Sequence, residues 1–130
     1  MNVQQTNVKH VILDTNMLMA MGQYHIDVVG ELQRVCDFLY DISVIEGTVE
    51  ELKRIARKND LAGRAALLGL DLIAKLGFGI ITGQKEKRVD DVLVELSKEG
   101  YVVVTRDAEL KRRLTRPYMT LRKERYLMFG

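Results

Sequence analysis

Short, continuous apolar runs alternate along the chain with longer segments in which apolar residues recur every three or four positions. The runs are rich in β-branched residues and end at polar clusters, which is typical of strands covered on both faces. They predict strands at residues 11–13, 42–45, 78–82 and 101–105. A weaker run after Pro117 predicts an edge strand at 118–121.

The segments with three- and four-residue spacing predict amphipathic helices between these strands. They lie at residues 28–39, 49–56, 61–76, 89–98 and 108–114. Asp27 and Thr48 are placed to cap the first two, with Glu51 at the third helical position of a capping box. The Ala- and Leu-rich segment 61–76 is expected to be largely buried and to end at Gly77. Strands that alternate with helices predict an α/β domain with a mainly parallel sheet.

Length and composition favour a single soluble domain that spans residues 1–130. The hydrophobic fraction of 47% and the charged fraction of 29% suit one sizeable core. A single cysteine cannot form an internal disulfide, so we expect a reducing, cytoplasmic setting. No apolar stretch approaches the roughly 20 residues of a membrane span, and the first ten residues lack the apolar core of a signal peptide. We therefore expect neither membrane insertion nor secretion.

The formal net charge is only +2, but the charge is unevenly distributed. From about residue 106 the C-terminal segment is basic, with eight Lys and Arg residues against three Asp and Glu residues between 106 and 125. Such a segment favours a polyanionic partner. A solvated helix face would have the same composition.

Acidic residues follow two of the predicted strands. Asp14 ends the first strand directly, and Asp107 comes two residues after the strand at 101–105. In parallel sheets, ligands bind beyond the carboxyl ends of the strands, so both carboxylates are candidate site residues. Helix capping is the alternative explanation for each of them.

A helical wheel separates two pairs of neighbouring acids. Asp90 lies nearer to the buried stripe of its helix than Asp91, which the wheel places in solvent. Glu51 likewise borders the stripe of its helix, whereas Glu50 faces outward. Asp90 and Glu51 are therefore the better candidates, although the helix dipole alone stabilises acids in a first turn.

If Asp14, Glu51, Asp90 and Asp107 converge, their mutual repulsion requires a cation. Ligation by oxygen alone, with no Cys or His cluster, favours Mg²⁺ or Mn²⁺ over a structural zinc ion. Such ions activate water and stabilise phosphoryl transition states. The pattern thus points to metal-dependent phosphoryl chemistry.

Other residues are assigned to the scaffold. Met17, Met19 and Met21 are expected to fill the core, and Cys36 to lie on an apolar helix stripe. His10 and His25 have no paired nucleophile, and Gly77, Gly79 and Gly83 are not followed by the GK[ST] of a phosphate loop.

Four acidic motifs, in this order, resemble those of the PIN-domain ribonuclease family. They are Val11-Ile12-Leu13-Asp14-Thr15-Asn16, Val49-Glu50-Glu51-Leu52, Val89-Asp90-Asp91 and Val103-Val104-Thr105-Arg106-Asp107. The resemblance runs from residue 11 to about 121. It implies a three-layer α/β/α domain with a mainly parallel central sheet.

The resemblance also implies Mg²⁺- or Mn²⁺-dependent hydrolysis of RNA phosphodiester bonds. The metal-binding acids would be Asp14, Glu51, Asp90 and Asp107, with Asn16 and Thr105 as supporting polar residues of the catalytic pocket. The basic residues that would hold RNA phosphates are Arg106, Lys111, Arg112 and Arg113.

Residues 105–114 resemble the PIN proteins that process small-subunit ribosomal RNA, but single-domain PIN proteins also include toxins of toxin–antitoxin pairs. RNA is the expected partner. A homodimer, and a protein partner that is either an inhibitor or a ribosome-assembly factor, stay open. A catalytically silent RNA-binding or protein-interaction module is the alternative from another class. A flavodoxin-like phosphoacceptor domain is disfavoured because no Lys directly follows the strand at 101–105.

Overall fold

A computed structural model of the chain describes residues 7–130. The helices are α1 (Thr15–Tyr24), α2 (Val28–Val35), α3 (Glu46–Ala56), α4 (Leu61–Leu76), α5 (Val89–Lys98) and α6 (Ala108–Arg113). The strands are β1 (Lys9–Leu13), β2 (Tyr40–Ile45), β3 (Gly79–Ile81), β4 (Val102–Val104), β5 (Met119–Arg122) and β6 (Tyr126–Phe129). The predicted α/β architecture is confirmed.

The described strands form a six-stranded sheet in the order β3-β2-β1-β4-β5-β6. Neighbours from β3 to β5 are parallel, and only the β5–β6 pair is antiparallel. In the centre, Ile12 of β1 is in register with Ser43 of β2 and Val103 of β4. The carboxyl ends of β1 and β4 therefore lie side by side.

Alternate residues of the central strands point to opposite faces and join two separate apolar clusters. Val11 and Leu13 of β1 face a core shared with residues of α1 to α4, whereas Ile12 faces a second core with α5 and α6. All three side chains are fully buried. This alternation produces the three layers of the predicted α/β/α domain.

Helices α1 and α4 cross closely because small residues lie at their contact. A Cβ atom at Gly22 of α1 would be 2.7 Å from the Leu68 Cβ, and one at Gly69 of α4 would be 3.2 Å from the Leu18 carbonyl oxygen. Met17 and Met21 of α1 are buried in the core, as predicted, while Met19 is only partly buried.

Two elements of the structure are not predicted from the sequence. Helix α1 is one, because Asp14, its N-cap, directly follows the apolar run of β1 and is equally typical of the end of a strand. Strand β6 is the other, and it makes β5 an inner strand, so the predicted edge position of 118–121 is wrong. The turn before β6 has Lys123 and Glu124 at φ 56° and 53°, where the sequence signal would be Asn or Gly.

Several local predictions need correction. Thr48 does not cap α3, because the helix starts at Glu46 and Thr48 is buried inside it. The helix predicted to reach residue 39 ends at Val35, which leaves Leu39 64% exposed and Cys36 at the helix end, only partly buried.

Helix α4 has the predicted bounds and ends at Gly77, whose φ of 67° is the left-handed conformation that favours glycine. It is not largely buried, however, because it packs on α1 and α3 with one side only. Leu61, Leu67 and Leu76 are 75%, 56% and 46% exposed. No helix among residues 7–130 is long and apolar enough to cross a membrane.

We expect Leu52→Ala to lower the free energy of unfolding by about 2–5 kcal/mol, because it leaves a cavity in the core. Leu52 is fully buried in α3. Leu67→Ala makes the same change on the exposed side of α4 and should cost less than about 0.5 kcal/mol. Urea unfolding measures both values, and equal losses would contradict the burial described here.

Candidate active site

The site lies where the central strands β1 and β4 end. The Asp14 N–H donates to the Val104 carbonyl oxygen at 3.2 Å, which continues the strand pairing by one step. This bond fixes the backbone of Asp14 beside that of Thr105. The two side chains consequently emerge from the sheet next to each other.

The Asp14 carboxyl group is almost completely buried, with 4% of the residue exposed. Its Oδ1 accepts from the Met17 N–H at 2.7 Å, so it caps α1, and its Oδ2 accepts from the Thr105 hydroxyl. Burial raises the pKa of Asp14 to about 7, although both hydrogen bonds oppose the rise and the charges of Asp107 and Asp90 add to it.

Thr105 connects two of the predicted site acids. Its hydroxyl group is buried, donates to Asp14 and accepts from the Asp107 N–H at 3.0 Å. Asp107 in turn caps α6, since its Oδ1 accepts from the Leu110 N–H at 3.0 Å. Capping therefore does not remove either Asp14 or Asp107 from the candidate site.

Asp90 lies at the start of α5 and faces the other site acids. Burial raises its pKa, and the charges of Asp107 and Glu51 raise it further, against weaker effects of Arg113 and Arg88. Asp91 instead binds Arg113, with Nη2 2.7 Å from Oδ1. The wheel thus chose the acid that faces the cluster, and Asp91 lies on the solvent side as predicted, with about half of its side chain exposed beside Arg113.

Glu51 is positioned by a residue that sequence reasoning missed. The Thr15 hydroxyl donates to Glu51 Oε1 at 2.5 Å, and Thr15 is itself buried at the start of α1. Glu50 points outward, as predicted, and lies 3.7 Å from Lys53. The signal for Thr15 is its place directly after Asp14 in the first motif.

The first turn of α3 contacts the first turn of α5 at Gly47. A Cβ atom at Gly47 would lie 2.9 Å from Val89 Cγ2, so a larger residue would push the two helices apart. This contact keeps Glu51 and Asp90 on adjoining walls of one groove.

Asp14, Glu51, Asp90 and Asp107 are thus brought to one place, here called the acidic cluster. They come from the end of β1, from α3, from α5 and from the loop after β4. Asn16 is exposed and shares a groove of about 280 Å³ with Arg106 and Asp107.

The predicted RNA-binding residues lie on and beside α6. Arg106 pairs with Glu124 at 2.5 Å and lies over the Tyr24 ring, 5.4 Å from its centroid. Arg112 is 3.8 Å from Glu109, and the Lys111 Nζ is 3.3 Å from the Thr120 hydroxyl oxygen. Arg106 and Arg113 are therefore held by Glu124 and Asp91, which are acids outside the cluster.

The donor chemistry of the acidic cluster fits a hard divalent cation. All donors are oxygens, and the acids raise one another's pKa at Asp14 and Asp90. Among residues 7–130, no three Asp, Glu, His or Cys side chains are yet close enough to ligate one ion. A bound ion would have to draw the carboxylates together.

The fold and the cluster define a mainly parallel α/β domain with a carboxylate site at the ends of its central strands. Residues 11–124 match the model of the PIN-like domain. The chain therefore belongs to the PIN-domain family, and the resemblance seen in the four motifs is confirmed.

Known proteins agree with this assignment. Ribonuclease VapC4 of Methanocaldococcus jannaschii is 27% identical over 126 residues, which cover 92% of this chain and 96% of that protein. The structure of the PIN domain endonuclease Utp24 matches with a TM-score of 0.76 and 21% identity, over 93% of this chain and 90% of that one. The second likeness confirms the fold.

We expect the Asp14 carboxyl group to make stability fall as pH rises when no metal is present. Its pKa is about 7 in the folded chain against an ordinary 3.8, so between these values the folded state holds more protons than the unfolded state. Ionisation by pH 8 should cost up to about 4 kcal/mol. Asp14→Asn should therefore gain stability relative to wild type between pH 5 and pH 8.

Urea unfolding in EDTA at both pH values measures this difference. Asp60→Asn is the matched control, since it makes the same change at the N-cap of α4. It should follow the wild-type pH dependence. An Asp14→Asn protein that also does so would show that Asp14 carries no buried charge.

Proposed function

We propose that the protein is a metal-dependent endoribonuclease that hydrolyses RNA phosphodiester bonds at the acidic cluster. The observation that carries the proposal is the convergence of four carboxylates from four segments around the buried Asp14. The family, and the ribonuclease and endonuclease named among its matches, support this reaction class.

The ionic contacts around the cluster also support a metal site. Arg106 and Arg113 lie beside it, but their ion pairs are with Glu124 and Asp91. The oxygens of the cluster acids are therefore left open to another cation. Mg²⁺ or Mn²⁺ held by Asp14, Glu51, Asp90 and Asp107 would activate water and stabilise the charge that develops on the phosphate.

The protein groups fix the geometry of the cluster. The Met17 N–H and the Thr105 hydroxyl orient Asp14, and the same hydroxyl oxygen holds the backbone of Asp107. Thr15 orients Glu51. Arg106, beside Asp107, is placed to bind a substrate phosphate, and Asn16 lines the same small groove. Cleavage then means attack of water on phosphorus and release of one bridging oxygen.

The substrate class has two candidates. Residues 105–114 support small-subunit ribosomal RNA, because this segment carries the resemblance to processing enzymes and forms the basic α6 beside the cluster. A toxin of a toxin–antitoxin pair would use the same acidic cluster, so the cluster does not distinguish the two candidates. Sequencing of RNA crosslinked to the protein in its own cells separates them, since a processing enzyme should enrich rRNA precursors. The homodimer and the protein partners stay predictions.

Saturating Mn²⁺ should stabilise the folded protein, because the ion relieves repulsion that exists only when the carboxylates converge. At a hundredfold excess over Kd the gain is about 2.7 kcal/mol. Thermal unfolding with and without Mn²⁺ measures it, and Asp14→Asn should lose most of the gain. If Mn²⁺ leaves the melting temperature of the wild type unchanged and calorimetry detects no heat of binding, the alternative of a catalytically silent RNA-binding or protein-interaction module would be favoured.

Neighbouring acids provide a paired test of cleavage. Asp90→Asn should lower kcat/KM for RNA by about 100-fold or more, because it removes a metal-binding oxygen. Asp91→Asn removes the same charge but only releases Arg113, so its loss should be under about tenfold. Glu51→Gln and Glu50→Gln should differ in the same direction.

The assay is cleavage of labelled RNA in Mg²⁺ or Mn²⁺, with EDTA as the blank. Equal losses within both pairs would indicate a general electrostatic effect. A larger loss at Asp91 or Glu50 would contradict the assignment of the cluster.

A further inference from the structure

A second groove contains two acids of the acidic cluster. It has a volume of about 660 Å³ and lies between the first turns of α3 and the loop 82–88 that leads into α5. Its lining includes Glu51 and Asp90 of the cluster, and the four basic residues Arg54, Lys85, Lys87 and Arg88. We call it the α3–α5 groove.

The loop that forms one wall is held in place by hydrogen bonds. Glu46 Oε2 accepts from the Gly83 N–H at 2.5 Å and from the Gln84 N–H at 3.0 Å. Lys87 is fixed at the end of the loop, with its Nζ 2.9 Å from Glu95 Oε1. The basic side chains of the loop therefore start from a defined backbone beside the cluster.

Three of the four cations have no acidic partner within the described part of the chain. They are Arg54, Lys85 and Arg88, whereas Lys87 pairs with Glu95. Arg88 is near enough to Asp90 to lower its pKa slightly, and Arg54 is one turn after Glu51 on α3. These cations line the approach to the cluster and are not needed for ion pairs of the fold.

The charge of the groove changes when the cluster is neutralised. Its four acids are Glu46, Glu50, Glu51 and Asp90. Glu46 is engaged by loop amides and Glu50 lies beside Lys53, while Glu51 and Asp90 would face the bound cation. The four cations and the four acids of the lining balance without a metal ion, so a bound divalent cation would leave the lining with a net positive charge. A positive channel that ends at a hydrolytic centre suits a polyphosphodiester.

We propose that the α3–α5 groove binds the backbone of the RNA segment that leads into the acidic cluster, with Arg54, Lys85 and Arg88 contacting its phosphates. The inference rests on the proposed function and assigns further substrate-binding residues to it. The three cations share the groove with Glu51 and Asp90, so a phosphate chain that they bind reaches the acids that would hold the metal ion.

The test uses Asp14→Asn protein, which keeps its fold but does not cleave, and an unstructured, labelled RNA of about 20 nucleotides. Fluorescence anisotropy gives Kd between 50 and 200 mM salt. Adding Arg54→Gln, Lys85→Gln and Arg88→Gln together should weaken binding about tenfold or more at the lower salt. Loss of three phosphate contacts should also reduce the salt slope by about 2.

A matched triple variant removes three positive charges elsewhere. Lys58→Gln, Lys75→Gln and Lys98→Gln lie at exposed positions outside the groove lining. This control should bind RNA within about twofold of the Asp14→Asn parent. The three single groove variants, which disturb the fold least, should each reduce the salt slope by about 0.7.

The outcomes distinguish a failure of the groove inference from a failure of the proposed function. If the parent binds RNA and the groove variants bind it as tightly, the groove inference is wrong while the ribonuclease proposal stands. Equal weakening by the control triple would also overturn it. A parent that binds no RNA, in a wild type that cleaves none, would instead refute the proposed function.

Discussion

Burial of the Asp14 carboxyl group at the end of the central strand is the constraint on which the site depends. An ionised carboxylate without a cationic partner is costly in the protein interior. Two hydrogen bonds, from the Met17 N–H and the Thr105 hydroxyl, offset only part of that cost, because the pKa still rises to about 7. The paired strands β1 and β4 impose this position, and the remaining acids are arranged around it.

The basic residues near the cluster pair with acids outside it, so the free-energy cost of ionising the buried Asp14 remains. Arg113 and Arg106 are tied to Asp91 and Glu124, so they stand beside the cluster without neutralising it. A lysine or arginine that paired with Asp14 would stabilise the folded chain, and it would occupy the place of the proposed metal ion. The site thus gives up stability at neutral pH, which the proposed cation would restore.

A few close contacts between strands and helices position the acids of the cluster. Register between β1 and β4 aligns Asp14 with Thr105, whose hydroxyl carries the alignment on to Asp107. The close approach at Gly47 brings α3 to α5, and with them Glu51 to Asp90. Basic residues on α6 and in the α3–α5 groove both lie near this cluster.

The sequence by itself determined the alternating α/β order, the bounds of α4 and α5 and the four acids, because these depend on local periodicity, caps and strand ends. It also separated Glu51 from Glu50 by helix face. It missed α1, whose cap was read as a strand end, and β6, whose turn places Lys123 and Glu124 in a conformation that glycine or asparagine would signal.

Only the tertiary structure decided which charges meet. The partners of Arg113, Arg106 and Glu51 lie 18 or more residues away along the chain, at Asp91, Glu124 and Thr15. Helical periodicity could not show that Asp91 is taken by Arg113, nor that Lys85 and Arg88 share a groove with Arg54. Contacts of this kind are set by how the layers pack, and the local pattern of a single element carries no record of its neighbours in space.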